Sequence, residues 1–192
     1  MHGALPREFY IDDPAEVARR LLGKVVVRKL GSTLLSGRIV ETEAYYGYKD
    51  PASRAFKGRK VYNSSMFEEQ GRLFIYMVHS YWLLNIVAHP EGKVGAVLLR
   101  ALEPLEGIPA MKVNRGVEEV RDLMRGPGRL TRALNVINDL NGLDITDVKC
   151  PLVIIDNGSD VEKIGESHRI GVTSDLPLKL RFYVEGSRFV SR

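Results

Sequence analysis

The chain has 192 residues, 44% of them hydrophobic and 27% charged, proportions typical of one soluble globular domain. This composition excludes a disordered, collagen-like or coiled-coil protein, and no apolar run approaches the about 20 residues that cross a bilayer. A formal charge of +4 is compatible with a nucleic-acid partner without establishing one. One cysteine, four histidines without metal-ligand spacing and no visible signal peptide predict an intracellular protein without disulfide, metal or cofactor.

The first predicted elements are a helix and a pair of strands. Asp13 can cap the helix, Pro14 suits its first turn, and Glu16 completes a capping-box pattern. Strands are predicted over 24–30 and 34–45, joined as a hairpin by the short polar stretch between them.

The middle of the chain alternates a loop with strands. Residues 46–71 are rich in Gly, Pro, Ser, Lys and Arg and predict a long basic loop, which in a compact domain is usually functional or disordered. Residues 73–78 and 82–88 predict a second hairpin with His79 near its tip, and residues 95–102 a buried strand.

The last third carries two predicted helices, over 106–124 and 128–138, and two late strands, over 151–156 and 179–190. Strands that are mostly hairpin-linked, with helices inserted between them, favour an α+β domain over a doubly wound parallel one. Without a repeat or linker, one domain over residues 1–192 is expected.

Two carboxylates stand out in the strand that ends at Tyr45. Alternation places Glu41 and Glu43 on one face, where they either meet solvent at a sheet edge or face a cation. Arg100 is the candidate counter-charge, because it sits among apolar residues of a predicted strand. It could form a structural ion pair, orient a catalytic carboxylate or hold a phosphate.

A glycine turn followed by basic residues forms a third candidate site. Arg125, Arg129 and Arg132 surround the predicted start of a helix, which either binds phosphate through its N–H groups or is a tight turn with a solvated face. Walker, nucleophile-elbow and Cys–His patterns are absent from the sequence, so a carboxylate that activates water is the best catalytic device available.

Several blocks, in order, resemble the alkyladenine (3-methyladenine) DNA glycosylase family over nearly the whole chain. They are RIVETEAYYG (38–47), MF (66–67), GRLFIYMVHSYWLLNIV (71–87), AVLLRALEPLEG (96–107), GPGRLTRAL (126–134) and LRFYVEGSRFVS (180–191). The resemblance implies one mixed α/β domain with a curved antiparallel sheet and a protruding hairpin that intercalates in DNA. It also implies a monomer that acts on double-stranded DNA containing damaged purines and leaves an abasic site without lyase activity.

The resemblance assigns roles position by position. Glu43 matches the general base, Arg100 the arginine beside it, and Tyr45 and Tyr76 the aromatic walls around the flipped base. Further, Asn85 matches the pocket asparagine that disfavours guanine.

Of two further positions, one matches the family pattern and one departs from it. His79 matches the hairpin-tip residue, often tyrosine, that fills the gap left in the duplex. Arg54 stands where the family commonly has a pocket histidine. We expect the side chain of Arg54 to point away from the pocket and towards a DNA phosphate, because its neighbours Lys57 and Arg59 are also basic. The alternative to an enzyme is a non-catalytic nucleic-acid-binding module resembling the C-terminal domain of methionyl-tRNA formyltransferase.

Overall fold

The computed structural model describes residues 3–159 and 161–191 as an antiparallel sheet flanked by three short α-helices. The strands are β1 (Val25–Leu30), β2 (Thr33–Tyr46), β3 (Leu73–Val78), β4 (Tyr81–Val87), β5 (Gly95–Glu106), β6 (Leu152–Ile155), β7 (Ile164–Ser167) and β8 (Arg181–Val184). The helices are α1 (Pro14–Leu21), α2 (Ile108–Arg115) and α3 (Pro127–Ala133). Within the described part of the chain, none of the helices is long and apolar enough to cross a membrane.

β2 is the central strand of the sheet. The order is β3-β4-β5-β2-β1-β6, and β8 joins β2 and β7. β5 pairs along one edge of β2, while the other edge pairs with β1 over residues 33–38 and with β8 over residues 41–43. The predicted α+β fold with a curved, mostly antiparallel sheet is therefore confirmed.

α1 forms as its sequence predicts. The Asp13 carboxylate accepts a hydrogen bond of 2.8 Å from the N–H of Ala15, and Pro14 begins the helix. Val17 and Leu21 are fully buried in the core that α1 shares with the sheet. α1 thereby packs against the apolar side of β2. The second half of β2 carries the two glutamates, Glu41 and Glu43, that are described below.

Several predicted boundaries are wrong. The single helix predicted over 106–124 is α2 followed by a 3₁₀ helix, because Gly116 adopts a left-handed φ of 64° and ends α2. α3 ends before 138, since Asn135 also has a left-handed φ, of 49°. β7 has no counterpart among the predicted elements, and β8 covers only part of 179–190.

The long basic loop holds a defined shape. Residues 61–67 form a 3₁₀ helix, and the side chain of Asn63 is fully buried within the loop. Its Nδ2 donates to the carbonyl oxygens of Arg54 and Gly58, at 2.7 and 3.0 Å. These bonds fix the backbone on both sides of the segment that holds Arg54.

The β3–β4 hairpin ends in an exposed two-residue turn. His79 and Ser80 both have left-handed backbones, with φ of 46° and 67°, as a tight hairpin turn requires. The base of the hairpin packs on α3: the hydroxyl of Thr131 donates to the carbonyl of Trp82 at 2.8 Å, and Gly128 lies against the ring of Tyr81.

Candidate active site

A cavity of about 1220 Å³ opens beside the hairpin, between the basic loop and the start of α3. Most of the predicted site residues line it: Tyr45, Arg54, Tyr76, His79, Arg100, Arg125 and Arg129. The structure therefore brings together residues that lie up to about 80 positions apart in the sequence.

Glu43 lies directly behind the cavity wall with no exposed surface. Its Oε1 accepts a hydrogen bond from the N–H of Ile170 at 2.7 Å and lies 3.2 Å from Nη1 of Arg100. Its Oε2 accepts from the hydroxyl of Tyr45 at 2.7 Å. All three donor residues line the cavity, so the carboxylate is one layer removed from the space they enclose.

Burial raises the pKa of Glu43 above the usual value for a glutamate, since a low-dielectric surrounding disfavours the charged form. Arg100, the N–H of Ile170 and the hydroxyl of Tyr45 act in the opposite direction and stabilise the anion. A carboxylate with a raised pKa and a cation beside it, at a cavity wall, is suited to accept a proton.

Glu41 forms a second, fully buried cluster on the same strand. Its Oε1 lies 3.1 Å from Nε of Arg100 and 2.7 Å from Nε of Arg181. The backbone N–H of Ser191 donates a hydrogen bond to Oε2 at 2.6 Å, and its hydroxyl donates one to Oε1 at 2.8 Å. Arg100 thus connects Glu41 to Glu43, and a sheet-edge position facing solvent is excluded for both carboxylates.

Tyr45 and Tyr76 form aromatic parts of the cavity wall. Behind Tyr45 lies the buried guanidinium of Arg169, 4.5 Å from the ring centroid. Tyr76 stacks on Phe74, with ring centroids 4.9 Å apart. Two flat rings of this kind can contact the faces of an unpaired base.

Arg54 does not turn away from the cavity as the sequence interpretation expected. Its guanidinium lies over the ring of Tyr76, 4.8 Å from the centroid, and its side chain lines the cavity while remaining exposed. A cation–π contact holds it there. The buried Asn63, which fixes the loop backbone at Arg54, favours this arrangement.

Asn85 is the predicted pocket residue that is not part of the cavity lining among the described residues. Its side chain is 2% exposed, and its Nδ2 donates to the carbonyl of Phe74 at 3.0 Å and to that of Leu83 at 3.4 Å. Asn85 therefore supports the β3–β4 pair behind Tyr76, and a role against guanine remains a prediction.

The three predicted phosphate contacts differ from one another. Arg129 is exposed and lies 3.4 Å from Asp122, whereas Nε of Arg125 donates to the carbonyl of Val190 at 2.8 Å. Arg132 is exposed on a smaller cavity, of about 530 Å³, that shares His79 with the larger one.

The start of α3 lines the cavity with residues 126–129, and phosphate binding there remains a prediction. Pro127 occupies the first turn and has no N–H, and the next residue, Gly128, lies against the ring of Tyr81. Since α3 has only seven residues and Pro127 lacks an N–H, its arginine side chains are the stronger candidates for phosphate contacts.

Four residues of the site were not predicted as site residues from the sequence, although Arg181 and Ser191 lie in the block 180–191 that resembles the family: Arg169, Ile170, Arg181 and Ser191. They come from the last 25 residues and contact strands more than 100 positions earlier, so no local spacing relates them to Glu41 or Glu43. Within residues 3–159 and 161–191, no group of three His, Cys, Asp or Glu side chains is placed to hold a metal ion.

Comparison with known proteins identifies the family. The family model for methylpurine-DNA glycosylase matches residues 8–188. A protein of Mesorhizobium japonicum with the provisional name 3-methyladenine DNA glycosylase is 47% identical, over 99% of this chain and 91% of its own. Proteins of Koribacter versatilis and Aeropyrum pernix with the same provisional name are each 42% identical, over 97% and 98% of this chain and 92% and 93% of theirs. The chain belongs to the methylpurine-DNA glycosylase family.

Proposed function

We propose that this DNA glycosylase releases alkylated purines such as 3-methyladenine and 7-methylguanine from double-stranded DNA and leaves an abasic site. The observation that supports this proposal is the buried Glu43 carboxylate, bonded to Tyr45, Arg100 and Ile170 at the wall of a cavity with two aromatic sides. The names of the relatives point to the same substrate class.

The damaged nucleotide enters the cavity by leaving the duplex. Purines alkylated at N3 or N7 carry a positive charge and pair and stack poorly, so extruding them costs less than extruding a normal base. The rings of Tyr45 and Tyr76 contact the extruded base. His79, at the exposed tip of the hairpin, fills the gap that the nucleotide leaves in the stack.

Glu43 then acts as the general base. The bond between C1′ and the purine nitrogen breaks, and its electron pair leaves with the base, so a cationic purine departs neutral. Water attacks C1′, a new C–O bond forms, and the proton lost by the water passes to the Glu43 carboxylate. The residues that contact the two carboxylate oxygens, Tyr45 at Oε2 and Arg100 and Ile170 at Oε1, all line the cavity, so the water is activated at this wall.

Electrostatics supports the same step. Positive charge develops at C1′ as the bond breaks, and a nearby carboxylate stabilises it. The groups in contact with Glu43 are a phenol, a guanidinium and a backbone N–H. None of them is an amine that could form a Schiff base, and the two lysines of the lining, Lys57 and Lys60, come from the basic loop and do not contact Glu43. This arrangement supports an unbroken strand with an abasic site as the product.

The test is the Glu43→Gln variant on methylated duplex DNA, with alkali-labile sites as the product. We expect excision to fall about 10²- to 10⁴-fold, the contribution of a general base, with folding and lesion binding preserved. Glu103→Gln is the matched control, because that carboxylate lies on β5 and pairs with Arg38 at 3.8 Å outside the cavity. Near wild-type excision by Glu43→Gln would disprove the mechanism, and no abasic product from the wild type would favour the non-catalytic module.

A further inference from the structure

The guanidinium of Arg169 is the most extensively bonded cation of the described chain outside the residues discussed as catalytic. It is fully buried and forms a bidentate ion pair with Asp50, in which Nη1 lies 2.7 Å from Oδ2 and Nη2 lies 2.8 Å from Oδ1. Its Nε donates to Asp175 at 2.9 Å, and its Nη1 donates to the carbonyl of Ala44 at 2.9 Å. The excision step proposed above does not use this guanidinium directly, so its burial among these partners needs an explanation.

Three features of the surroundings of Arg169 lead to Glu43. Ala44, whose carbonyl accepts from Arg169, is the residue between Glu43 and Tyr45. Tyr45 lines the cavity while Arg169 has no exposed surface, so the cation lies on the ring face that points away from the cavity. Ile170, the next residue along the chain, donates its N–H to Glu43. Two of the three donors to the carboxylate are therefore fixed by one side chain.

We infer that Arg169 is a positioning residue for base excision, which holds the hydroxyl of Tyr45 and the N–H of Ile170 against the Glu43 carboxylate. This inference rests on the proposed function and adds a residue that never touches the substrate. Asp50 ends the turn that follows β2, and Asp175 lies in the loop before β8, so Arg169 joins both segments to the strand that holds Glu43.

A lysine at position 169 separates charge from geometry. Lysine keeps one positive charge, but it cannot present the planar fork that binds both oxygens of Asp50 while also reaching Ala44. In Arg169→Lys, the contacts with Asp50, Ala44 and the ring of Tyr45 are therefore weakened, and the backbone at Ile170 and the ring of Tyr45 are held less firmly. Weaker hydrogen bonds to the anion raise the pKa of Glu43, and the base form is then present only at higher pH.

The groups that influence this titration come from several elements. They are Tyr45 and Glu41 on β2, Tyr76 on β3, Arg100 on β5 and Arg181 on β8. All of them remain in Arg169→Lys, so a shift in the titration reports the change at position 169.

The experiment compares single-turnover excision of 3-methyladenine across pH by the wild type, Arg169→Lys and Arg7→Lys. Arg7 is the matched control, because its guanidinium also joins distant segments, Gln70 and Asp144, outside the cavity. For Arg169→Lys we expect a rate up to about 100-fold lower, the loss that a misplacement of a reactive group by about 1 Å can cause. We also expect the acidic limb of its profile to move up by about one pH unit, equivalent to one hydrogen bond to the carboxylate.

A carbon-13 NMR titration of the Glu43 carboxyl gives a readout that does not depend on excision. The same upward shift is expected in Arg169→Lys and no shift in Arg7→Lys. If the rate falls only in proportion to the unfolded fraction, and the acidic limb and titration stay in place, Arg169 is structural and the inference fails. Should Arg169→Lys not fold, Asp175→Asn decides the question by the same two measurements.

The two proposals fail in different ways. A wild-type protein that releases no purine overturns the proposed function, while the carboxyl titration still tests the role of Arg169. A wild-type protein that releases purines, with unchanged titration in Arg169→Lys and Asp175→Asn, overturns only the positioning role.

Discussion

The charged residues of the cavity wall and those of its mouth differ in how they are stabilised. In the wall, Glu41 and Glu43 have no exposed surface, and each bonds to several partners. At the mouth, Arg54 and Arg129 are exposed, and Arg129 has a carboxylate at 3.4 Å; Arg132 is exposed on the smaller cavity next to it. Removing a charge from water is costly without compensation, whereas an exposed charge is already solvated.

This difference separates two kinds of function. The buried carboxylates of the wall need hydrogen-bond and ion-pair partners because they are removed from water. The same removal from water raises the pKa of Glu43, and a carboxylate with a higher pKa accepts a proton more readily. The mouth cations are free to exchange water for DNA phosphates, each with a small effect that salt screens. Substitutions in the wall should therefore change stability and chemistry, and substitutions at the mouth should change binding.

Glu41→Gln should show the largest effect on stability. Its loss leaves Arg100 and Arg181 buried with one carboxylate fewer between them, and breaking such a cluster costs roughly 3–5 kcal/mol. Urea denaturation measures the change, with Glu103→Gln as the control, and a loss below about 1 kcal/mol would contradict the buried-cluster interpretation.

His79→Ala should weaken binding to lesion-containing duplex more than binding to the same single strand. Alanine cannot fill the gap in the base stack, and a single strand has no such gap to fill. Electrophoretic mobility shifts on matched single- and double-stranded oligonucleotides measure the loss of affinity for each, and the ratio of the two losses tests the prediction. Equal losses on both would show that His79 only supports the hairpin.

Arg54→Ala should change lesion preference by a few-fold in favour of 7-methylguanine over hypoxanthine. A guanidinium over Tyr76 repels a cationic base, but it can donate to an acceptor on a neutral one. Competition between the two lesions in one reaction gives the ratio directly. A ratio equal to that of the wild type would mean that Arg54 leaves the ring when DNA binds.

Arg132→Ala should have the smallest effect, a uniform weakening of binding to damaged and undamaged DNA. One phosphate contact lowers the slope of log K against log salt by about one unit. Arg125→Ala is the informative comparison, since it also loses the bond to Val190 and should lower the melting temperature. A change in lesion preference by Arg132→Ala would mean that this arginine contacts the base.

Local signals in the sequence predict much of the fold and half of the site. The cap at Asp13 and the alternating strands appear in the structure because they depend on neighbours a few residues apart. Arg100 is paired with both carboxylates, as its isolation among apolar residues suggested. The bond from Ile170 to Glu43 could not be predicted, because it joins residues 127 positions apart. β7 was missed for a different reason: Ile164 is the one large apolar residue among its four, so no alternating pattern marks it.

The turn at His79 and Ser80 has an entropic consequence for DNA binding. Left-handed backbones cost roughly 1–2 kcal/mol per residue outside glycine, so this turn is held by the register of the hairpin and not by its own preference. A glycine there would relieve the cost but would leave the tip free to sample many directions. The strained turn instead fixes the backbone at His79, so if this residue enters the duplex as proposed, less conformational freedom is lost when the complex forms.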